Sequence, residues 1–331
     1  MKYYGMDIHK KYSVFTAMDE KGNILEQGRI PNERETLAKV MSHTTGEAKV
    51  VIEATSNWYY LYDLLESMGN DVCLANPLQT KAIASARVKT DKVDATTLAH
   101  LLRTNLIPTS YIPSQGIREI RELLRYRASL IKMRTTVKNK IHALLIKNGL
   151  QHPFTDLFGR AGRAWLAELE IRPVYGNSLK GYLRILNSLE EEILPISREI
   201  KKMAPADPRA SLLTTIPGIG NYSALLILSE IGDIERFPSP KKLVSYAGLN
   251  PSVHSSGDAT RYGRISKQGS HWLRWILTES ASVASRHPGK LQDFHRKIAR
   301  RHGVKTANIA LARKMLTICY YLLKNGEEYR E

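Results

Sequence analysis

The first third of the chain alternates short apolar runs with amphipathic stretches. Alternation with a period of two residues predicts strands, whereas apolar residues spaced three and four apart predict helices. The predicted strands are KYYGMDI (2–8), a hairpin over 12–30 that turns at Lys21-Gly22, KVVIEA (49–54) and DVCLAN (71–76). The predicted helices cover about 33–44, 58–68, 77–87 and 92–104. Strands interleaved with helices indicate a mixed sheet covered by helices, an α/β domain over residues 1–106.

The middle region, residues 107–208, is predicted to be helical. Apolar spacing predicts one helix over 117–147, and the glycines and prolines of 150–177 predict a connection with little regular structure. Beyond it, four residues recur every seven positions in the manner of a coiled-coil seam, Leu179, Leu186, Ile193 and Ile200. Pro195 is expected to kink this helix locally. The pattern fits an antiparallel hairpin, a dimerising coiled coil or a helix packed inside one domain. The segment APADPRAS, 204–211, has the composition of a linker.

The last region, residues 209–331, is predicted to be mainly helical. The sequence Pro217-Gly218-Ile219-Gly220 stands between two apolar helices and resembles a helix-hairpin-helix turn, whose glycines let backbone N–H groups approach a phosphate. A plain connection between two helices is the alternative. Residues 248–270, rich in Gly, Ser and Arg, show no periodicity, which predicts a long functional or disordered loop.

Charge divides the 331 residues unevenly. The net charge is +17, but residues 1–105 carry 13 basic and 13 acidic residues. Residues 106–208 carry 17 basic and 10 acidic residues, and residues 209–331 carry 19 basic and 9 acidic residues. An excess outside the first third predicts a polyanionic partner, nucleic acid before membrane. No apolar run is long enough to span a bilayer, so no membrane partner is expected. The two cysteines, Cys73 and Cys319, lie in apolar contexts and favour a cytoplasmic protein without disulfides.

Four carboxylates of the predicted α/β domain are the candidate metal ligands. Asp7 lies in the first strand, Glu53 ends the KVVIEA strand, and Asp91 and Asp94 open the last helix. Buried carboxylates repel one another unless cations pair them, and hard divalent metals do this best. We therefore expect Mg²⁺, with Mn²⁺ as an alternative, in phosphoryl-transfer chemistry. The alternatives are a solvent-facing strand acid for Asp7, a helix cap for Glu53 and acids that favour a helix N-terminus for the last two.

Several stretches together resemble a known family. They are GMDIHKKYSVFTAMD, VIEATSNWYYLYDLL, ANPLQTKAIASARVKTDKVDATTLAHLLR and the long segment from PGIGNYSALL to GSHWLRWIL. In order and across nearly the whole chain, they are similar to the DEDD transposases of bacterial insertion sequences. That group includes the pilin-gene invertase and recombinases guided by a bridge RNA.

The resemblance implies a fold and a set of site residues. It implies an RNase H/RuvC-like domain at 1–106, a coiled-coil middle at 107–208 and a C-terminal transposase domain at 209–331. The family's four acids correspond to Asp7, Glu53, Asp91 and Asp94. Its serine nucleophile corresponds to Ser256 in HSSGD, although Ser255 stands beside it.

Two groups of basic residues are the candidate nucleic-acid contacts. Four cations surround the serine segment and suit contacts to a phosphate backbone, namely Arg261, Arg264, Lys267 and Arg274. The basic helix of the middle region is the candidate RNA surface, through Arg118, Arg121, Arg125, Arg134 and Lys138.

These features predict a DNA recombinase. The resemblance implies that a structured noncoding RNA guides it to donor and target DNA. Strand exchange must hold two DNA partners, so we expect a homo-oligomer, a dimer or tetramer, with an active site shared between chains. The alternative is a complete site within each chain, with the 204–211 linker folding the domains together. One alternative is a metal-dependent RuvC-like junction nuclease that uses water, which would need the acids but not Ser256. Another is a noncatalytic nucleic-acid scaffold whose acids bind no metal.

Overall fold

The computed structural model describes residues 1–42, 48–55, 57–84, 90–256 and 259–330. The chain forms two compact units, Met1–Pro113 and Ser114–Glu331. The first boundary lies seven residues beyond the predicted one, because the chain after residue 106 pairs with the sheet. Thr109 bridges Ala75, and the Ser110 amide donates to the Leu74 carbonyl at 2.7 Å.

The first unit is built on a five-stranded sheet. Its strands are β1 (Lys2–Ile8), β2 (Tyr12–Met18), β3 (Ile24–Pro31), β4 (Ala48–Glu53) and β5 (Asp71–Ala75). They lie in the order β3-β2-β1-β4-β5. The β1–β2 and β2–β3 pairs are antiparallel, and the β1–β4 and β4–β5 pairs are parallel. The helices are α1 (Arg34–Ser42), α2 (Trp58–Ser67), α3 (Pro77–Ile83) and α4 (Asp91–Arg103). The predicted mixed α/β domain is confirmed.

The two faces of this sheet bury different residues, since successive side chains of a strand alternate in direction. One face carries Met6 and Ile52 against Leu61 and Leu65 of α2. On the other face, Val51 packs with Leu98 of α4. The position of α4 on this second face decides where its first turn lies, and that turn carries two of the predicted site residues.

The second unit is mainly helical. Its helices are α5 (Gln115–Lys147), α6 (Arg160–Glu168), α7 (Pro173–Ala206), α8 (Pro208–Thr214), α9 (Asn221–Ile231), α10 (Pro240–Tyr246), α11 (His271–Ala284), α12 (Lys290–His302) and α13 (Val304–Asn325). A two-stranded hairpin of β6 (Pro251–Ser256) and β7 (Ala259–Ile265) lies between α10 and α11. This hairpin occupies much of the stretch for which the sequence predicted a loop.

The predicted heptad seam is buried within the chain. Leu179 and Leu186 pack with Ile141 and Leu144 near the end of α5. Ile193 and Ile200, farther along α7, share a core with Leu124 and Leu130 near the start of α5 and with the helices of the last region. The two long helices therefore run antiparallel, and their seam is filled from the same protomer. The middle and last regions therefore belong to one compact unit and share the second of these cores.

Two predicted irregular segments are helical. Residues 150–177 contain α6 and the start of α7, where Pro173 occupies a first-turn position that needs no N–H donor. The predicted linker at 204–211 reduces to Asp207, because α7 continues to Ala206 and α8 begins at Pro208. The Asp207 side chain caps α8 by accepting from the Arg209 amide at 2.9 Å. The helix α7 also continues through Pro195.

The predicted glycine turn connects α8 to α9. Gly218 has φ +90°, and a Cβ there would overlap the Ser280 carbonyl and Ala284 of α11. This glycine is therefore needed for close packing inside the unit, which accounts for it without a phosphate contact. Across the described part of the chain, none of the helices combines the length and the apolar character that a bilayer crossing requires.

Candidate functional site

The candidate metal site begins with Asp7, which is buried near the end of the central strand β1. The strands β1 and β4 run parallel, and Met6 pairs with Ile52. The next residue on each strand is an acid, so this register brings Glu53 beside Asp7 where both strands end. Glu53 also pairs with Ala75 of β5 and is half-buried.

Gly5 brings the other two acids to the same place. A Cβ at Gly5 would overlap the Ala95 carbonyl and the Ala99 amide, so α4 rests directly on the backbone of β1. Ala95 and Ala99 are fully buried at this contact. Because the helix crosses β1 so closely, its first turn, with Asp91 and Asp94, lies toward the end of the strand that carries Asp7.

A histidine that the sequence analysis missed completes the cluster. His9 Nε2 lies 3.3 Å from Asp7 Oδ2 and 3.1 Å from Asp91 Oδ2. Its ring stacks on Tyr12 at 4.5 Å between centroids, and its carbonyl accepts from the side-chain amides of Asn32 and Asn57 at 2.8 and 2.9 Å. The signal was present in the sequence, since His9 follows Asp7 by two positions at a strand end and shares its side of the strand.

The electrostatics of this cluster are unfavourable for a metal-free carboxylate. The pKa of Asp7 is raised above its ordinary value, first because burial disfavours its charge, while His9 lowers it and the charges of Asp91 and Asp94 raise it further. His9 Nε2 is buried and makes no hydrogen bond of acceptable geometry. The site thus holds more negative charge than its single imidazole compensates.

The donor set fits a divalent cation. One ligand atom from each of Asp7, His9 and Asp91 lies within 4.8 Å of the others, and they are the one such group in the ranges that the structure describes. Carboxylate oxygens are the usual ligands of Mg²⁺ and Mn²⁺. A cation between these oxygens would remove their repulsion, and the imidazole is placed to orient two of them. Two further acids, Asp94 and Glu53, flank this group and are available as ligands. Asp94 is close enough to affect the pKa of Asp7.

The predicted nucleophile lies in the second unit. Ser256 is the last residue of β6 and its backbone pairs with Ala259, while Ser255 pairs with Thr260. The side chains of both serines lie outside the described residues, as do Gly257 and Asp258. The backbone therefore places Ser256 at the tip of a hairpin rather than in an irregular loop.

Comparison with known proteins gives the same family from two separate parts of the chain. A model for DEDD transposases of the IS110 type matches residues 4–147, which include all four acids. A second model, for transposases of the IS116/IS110/IS902 family, matches residues 210–296, which include the hairpin. The chain belongs to the IS110 family of transposases.

Individual relatives align over nearly all of this transposase. The transposase for insertion sequence element IS1111A of Coxiella burnetii is 28% identical, over 100% of this chain and 92% of its own. The pilin gene-inverting protein of Moraxella bovis is 27% identical, over 99% of this chain and 97% of its own. The transposase for IS1328 of Yersinia enterocolitica is 24% identical, over 97% of this chain and 96% of its own. The transposase belongs to a family that acts in DNA recombination and transposition.

Two of the predicted RNA-facing arginines lie inside the second unit of the transposase, and a third, Arg125, is half-buried. Arg118 and Arg121 are buried. Arg121 donates to the carbonyls of Ser229 and Glu230, at 2.6 and 3.0 Å, where α9 ends. Arg125 donates to Glu230 Oε1 through Nε and Nη2 at 3.2 and 2.6 Å. The face they were predicted to present to RNA is turned inward, so the proposed nucleic-acid surface excludes Arg118 and Arg121.

The remaining predicted cations are more accessible. Arg134 and Lys138 of α5 are half-buried, and Lys138 Nζ lies 4.6 Å from the centroid of the Phe158 ring. Arg261, Arg264 and Lys267 are exposed along β7 and just beyond it. Arg274 instead donates to the Ala247 carbonyl at 2.9 Å, and this contact fixes α11 against the end of α10.

Proposed function

We propose that this transposase is a DNA recombinase that cuts and rejoins strands through a serine nucleophile and a carboxylate-bound divalent metal. The observation that carries the proposal is the cluster of Asp7, His9 and Asp91 at the end of the central strand, in which Asp7 is buried and the other two are half-buried. Asp7, Glu53, Asp91 and Asp94 would hold Mg²⁺ or Mn²⁺, and the metal would supply positive charge for a phosphoryl-transfer transition state. His9 would keep the carboxylates of Asp7 and Asp91 oriented.

In the proposed reaction, the energy of the cut phosphodiester bond is kept in a new ester bond between the protein and the DNA phosphate. The Ser256 hydroxyl oxygen bonds to the scissile phosphorus as the bond to the departing strand oxygen breaks. The serine proton passes to a base, and the departing oxygen leaves with a proton as a strand hydroxyl. A hydroxyl of the partner strand then displaces Ser256, so that strands are joined without an external energy source.

A denaturing gel separates this reaction from hydrolysis. With labelled DNA and Mg²⁺, the wild-type protein should give a covalent protein–DNA adduct, and Ser256→Ala should give none. Ser255→Ala is the matched control and should retain the adduct. Cleavage without any adduct would instead support the junction nuclease that uses water, and loss of the adduct only in Ser255→Ala would move the nucleophile by one residue.

We further propose that a noncoding RNA selects the donor and target DNA and that the active assembly is a dimer or tetramer. The surplus of positive charge in residues 106–331 and the family membership support a nucleic-acid partner of this kind. Base pairing can choose sequences while protein holds the backbone. Sequencing RNA that copurifies from the native host tests the guide. Full activity of RNA-free protein on its natural DNA sites would contradict it.

A further inference from the structure

A groove of about 1050 Å³ opens in the second unit between the base of the β6–β7 hairpin and helix α13. This volume is at the upper end of the range of small-molecule pockets, roughly 300–1,000 Å³. Its floor is apolar and includes the side chains of Leu249, Ile265, Phe294 and Ile309. Phe294, on α12, is the aromatic residue among them and is only half-buried.

The groove is also rimmed by positive charge. Five cations line it, and no acidic residue does so in the part of the chain described, the cations being Arg264, Lys267, Lys305, Arg313 and Lys314. Lys314 Nζ lies 4.4 Å from the centroid of the Phe294 ring, which brings a charge down to the apolar floor. Other cations of this unit are neutralised, as Lys324 is by Glu235 and Arg125 by Glu230. No such ion pair joins the five groove cations to the described residues.

An apolar floor beneath unpaired cations matches the chemistry of a nucleotide. A base offers an apolar face that stacks on aromatic rings, and its phosphates require positive charge. The base must be unpaired, because a base inside a duplex already has both faces stacked. A simple apolar ligand would leave the cations without partners, and a duplex backbone alone would leave the floor unfilled.

The position of the groove on the hairpin indicates which nucleic acid binds there. The groove lies at its base, where Pro251 pairs with Ile265, and Ser256 lies at its tip. Five residues of strand separate these points, about 17 Å at ~3.3 Å per residue. That distance corresponds to about five stacked nucleotides at ~3.4 Å each. We propose that the groove binds an unpaired DNA nucleotide within about five positions of the cut phosphate, with its base on Phe294 and its phosphates at the rim. This inference rests on the proposed role of Ser256 in cutting DNA.

Abasic scanning tests the groove directly. We would use Ser256→Ala protein with its copurified RNA retained, since that variant binds DNA without cutting it. Its affinity for DNA is measured by fluorescence anisotropy with one abasic position moved through the six nucleotides on each side of the cut. One or two positions should weaken binding about tenfold, the scale of a lost base–aromatic stack. In the additional variant Phe294→Leu, the same abasic positions should cause no further loss.

Matched variants distinguish a loss of base stacking from a loss of folding and from a general loss of positive charge. Phe294→Leu keeps an apolar side chain at a half-buried position, and Phe294→Tyr should restore the abasic sensitivity. The pair Lys305→Ala with Arg313→Ala should weaken intact and abasic DNA alike. The exposed pair Lys241→Ala with Lys242→Ala, on α10 and away from the groove, should leave binding unchanged.

Three results would overturn the inference. They are a flat abasic scan, a scan that Phe294→Leu leaves unchanged, and a single-stranded RNA that shows the Phe294 dependence while DNA does not. The adduct gel with wild-type protein is run in parallel. If Ser256 forms its adduct but the Phe294 dependence is absent, the groove inference fails and the proposed function stands. If no adduct forms, the proposed function fails, whatever the scan shows.

Discussion

The two units each bury a carboxylate, and the surroundings of the two acids differ. Glu230, near the end of α9, accepts from Arg125 at 2.6 Å and from Ser270 Oγ at 2.9 Å. Arg121 holds the backbone carbonyl of the same residue. Asp7, in the first unit, faces Asp91 and Asp94 with one imidazole as compensation.

This difference separates a structural acid from a functional one. A buried ion with its full set of partners fixes the packing of the elements that supply them, here α5, α9 and α11. Like charges gathered at a buried position cost stability and persist where a ligand or reaction uses them. The contrast is therefore a physical reason to place the chemistry at Asp7 and to treat Glu230 as part of the framework.

The largest effect is expected on strand cleavage. Asp7→Asn keeps the shape of the side chain but removes a metal-binding charge, so cleavage should fall by at least about a thousandfold, while RNA binding stays within roughly twofold. Cleavage is followed on labelled DNA and RNA binding by filter retention. Glu66→Gln, at an exposed position of α2 in the same unit, is the control and should cleave normally. Parallel loss of RNA binding and cleavage in Asp7→Asn would make the acid structural.

The next largest effect is expected on the stability of the second unit. Glu230→Ala leaves Arg125 without its buried partner, which should cost about 3–5 kcal/mol of unfolding free energy. The exposed Glu235, paired with Lys324, is the matched control. Glu235→Ala should cost at most about 1 kcal/mol. Urea unfolding followed by circular dichroism measures both, and equal losses would contradict the distinction between them.

A smaller effect is expected to distinguish the exposed arginines from the buried ones. Arg261→Ala, at an exposed position of β7, should weaken nucleic-acid binding roughly threefold and lower the slope of log affinity against log salt by about 1. Its Tm should not change. Arg121→Ala should instead lower the Tm, since two carbonyls lose their donor. If Arg121→Ala changes the salt slope without changing Tm, its guanidinium contacts phosphate after all.

The smallest effect is a gain in stability without metal. The folded-state pKa of Asp7 lies above its unfolded value, so the folded chain binds this proton more tightly and loses stability as pH rises through that interval. At pH 7 in a chelator, Asp7→Asn should raise the Tm by about 2 °C. Well below pH 4 the difference should vanish, because Asp7 is then protonated in both states. A lower Tm for Asp7→Asn at pH 7 would mean that its charge is compensated.

The strands of the first unit were predictable because local pattern decides them. KYYGMDI coincides with β1, and the predicted strands over 49–54 and 71–76 each end one residue beyond the observed ends of β4 and β5, Glu53 and Ala75. The places of the four acids on these elements were predictable for the same reason, since each stands at the end of a strand or in the first turn of a helix, and their role as metal ligands stays a prediction. The start of α7 and the helix α8 escaped prediction because Pro173 and Pro208, which begin them, resemble linker residues, although Pro is favoured in the first turn of a helix.

The inward arginines were not predictable from local pattern. Arg118, Arg121 and Arg125 share one side of α5 by their spacing, which indicates a face but not what covers it. Glu230, which accepts from Arg121 and Arg125, lies more than 100 residues away, inside an apolar helix. Charge counting treats every arginine as exposed, whereas tertiary contact decides which of them reach solvent. The β6–β7 hairpin was missed because glycine and serine conceal its alternation.

Calorimetric titration with Mg²⁺ and Mn²⁺ determines whether the Asp7 cluster is a metal site and the Glu230 cluster is not. Wild-type protein should bind the cation, and Asp7→Asn should lose that binding. Glu230→Gln, which keeps the size of the side chain, should bind as wild type does, provided that its circular dichroism spectrum is native. Absence of binding to wild-type protein, or equal binding to wild type and Asp7→Asn, would contradict the account and favour a scaffold whose acids hold no metal.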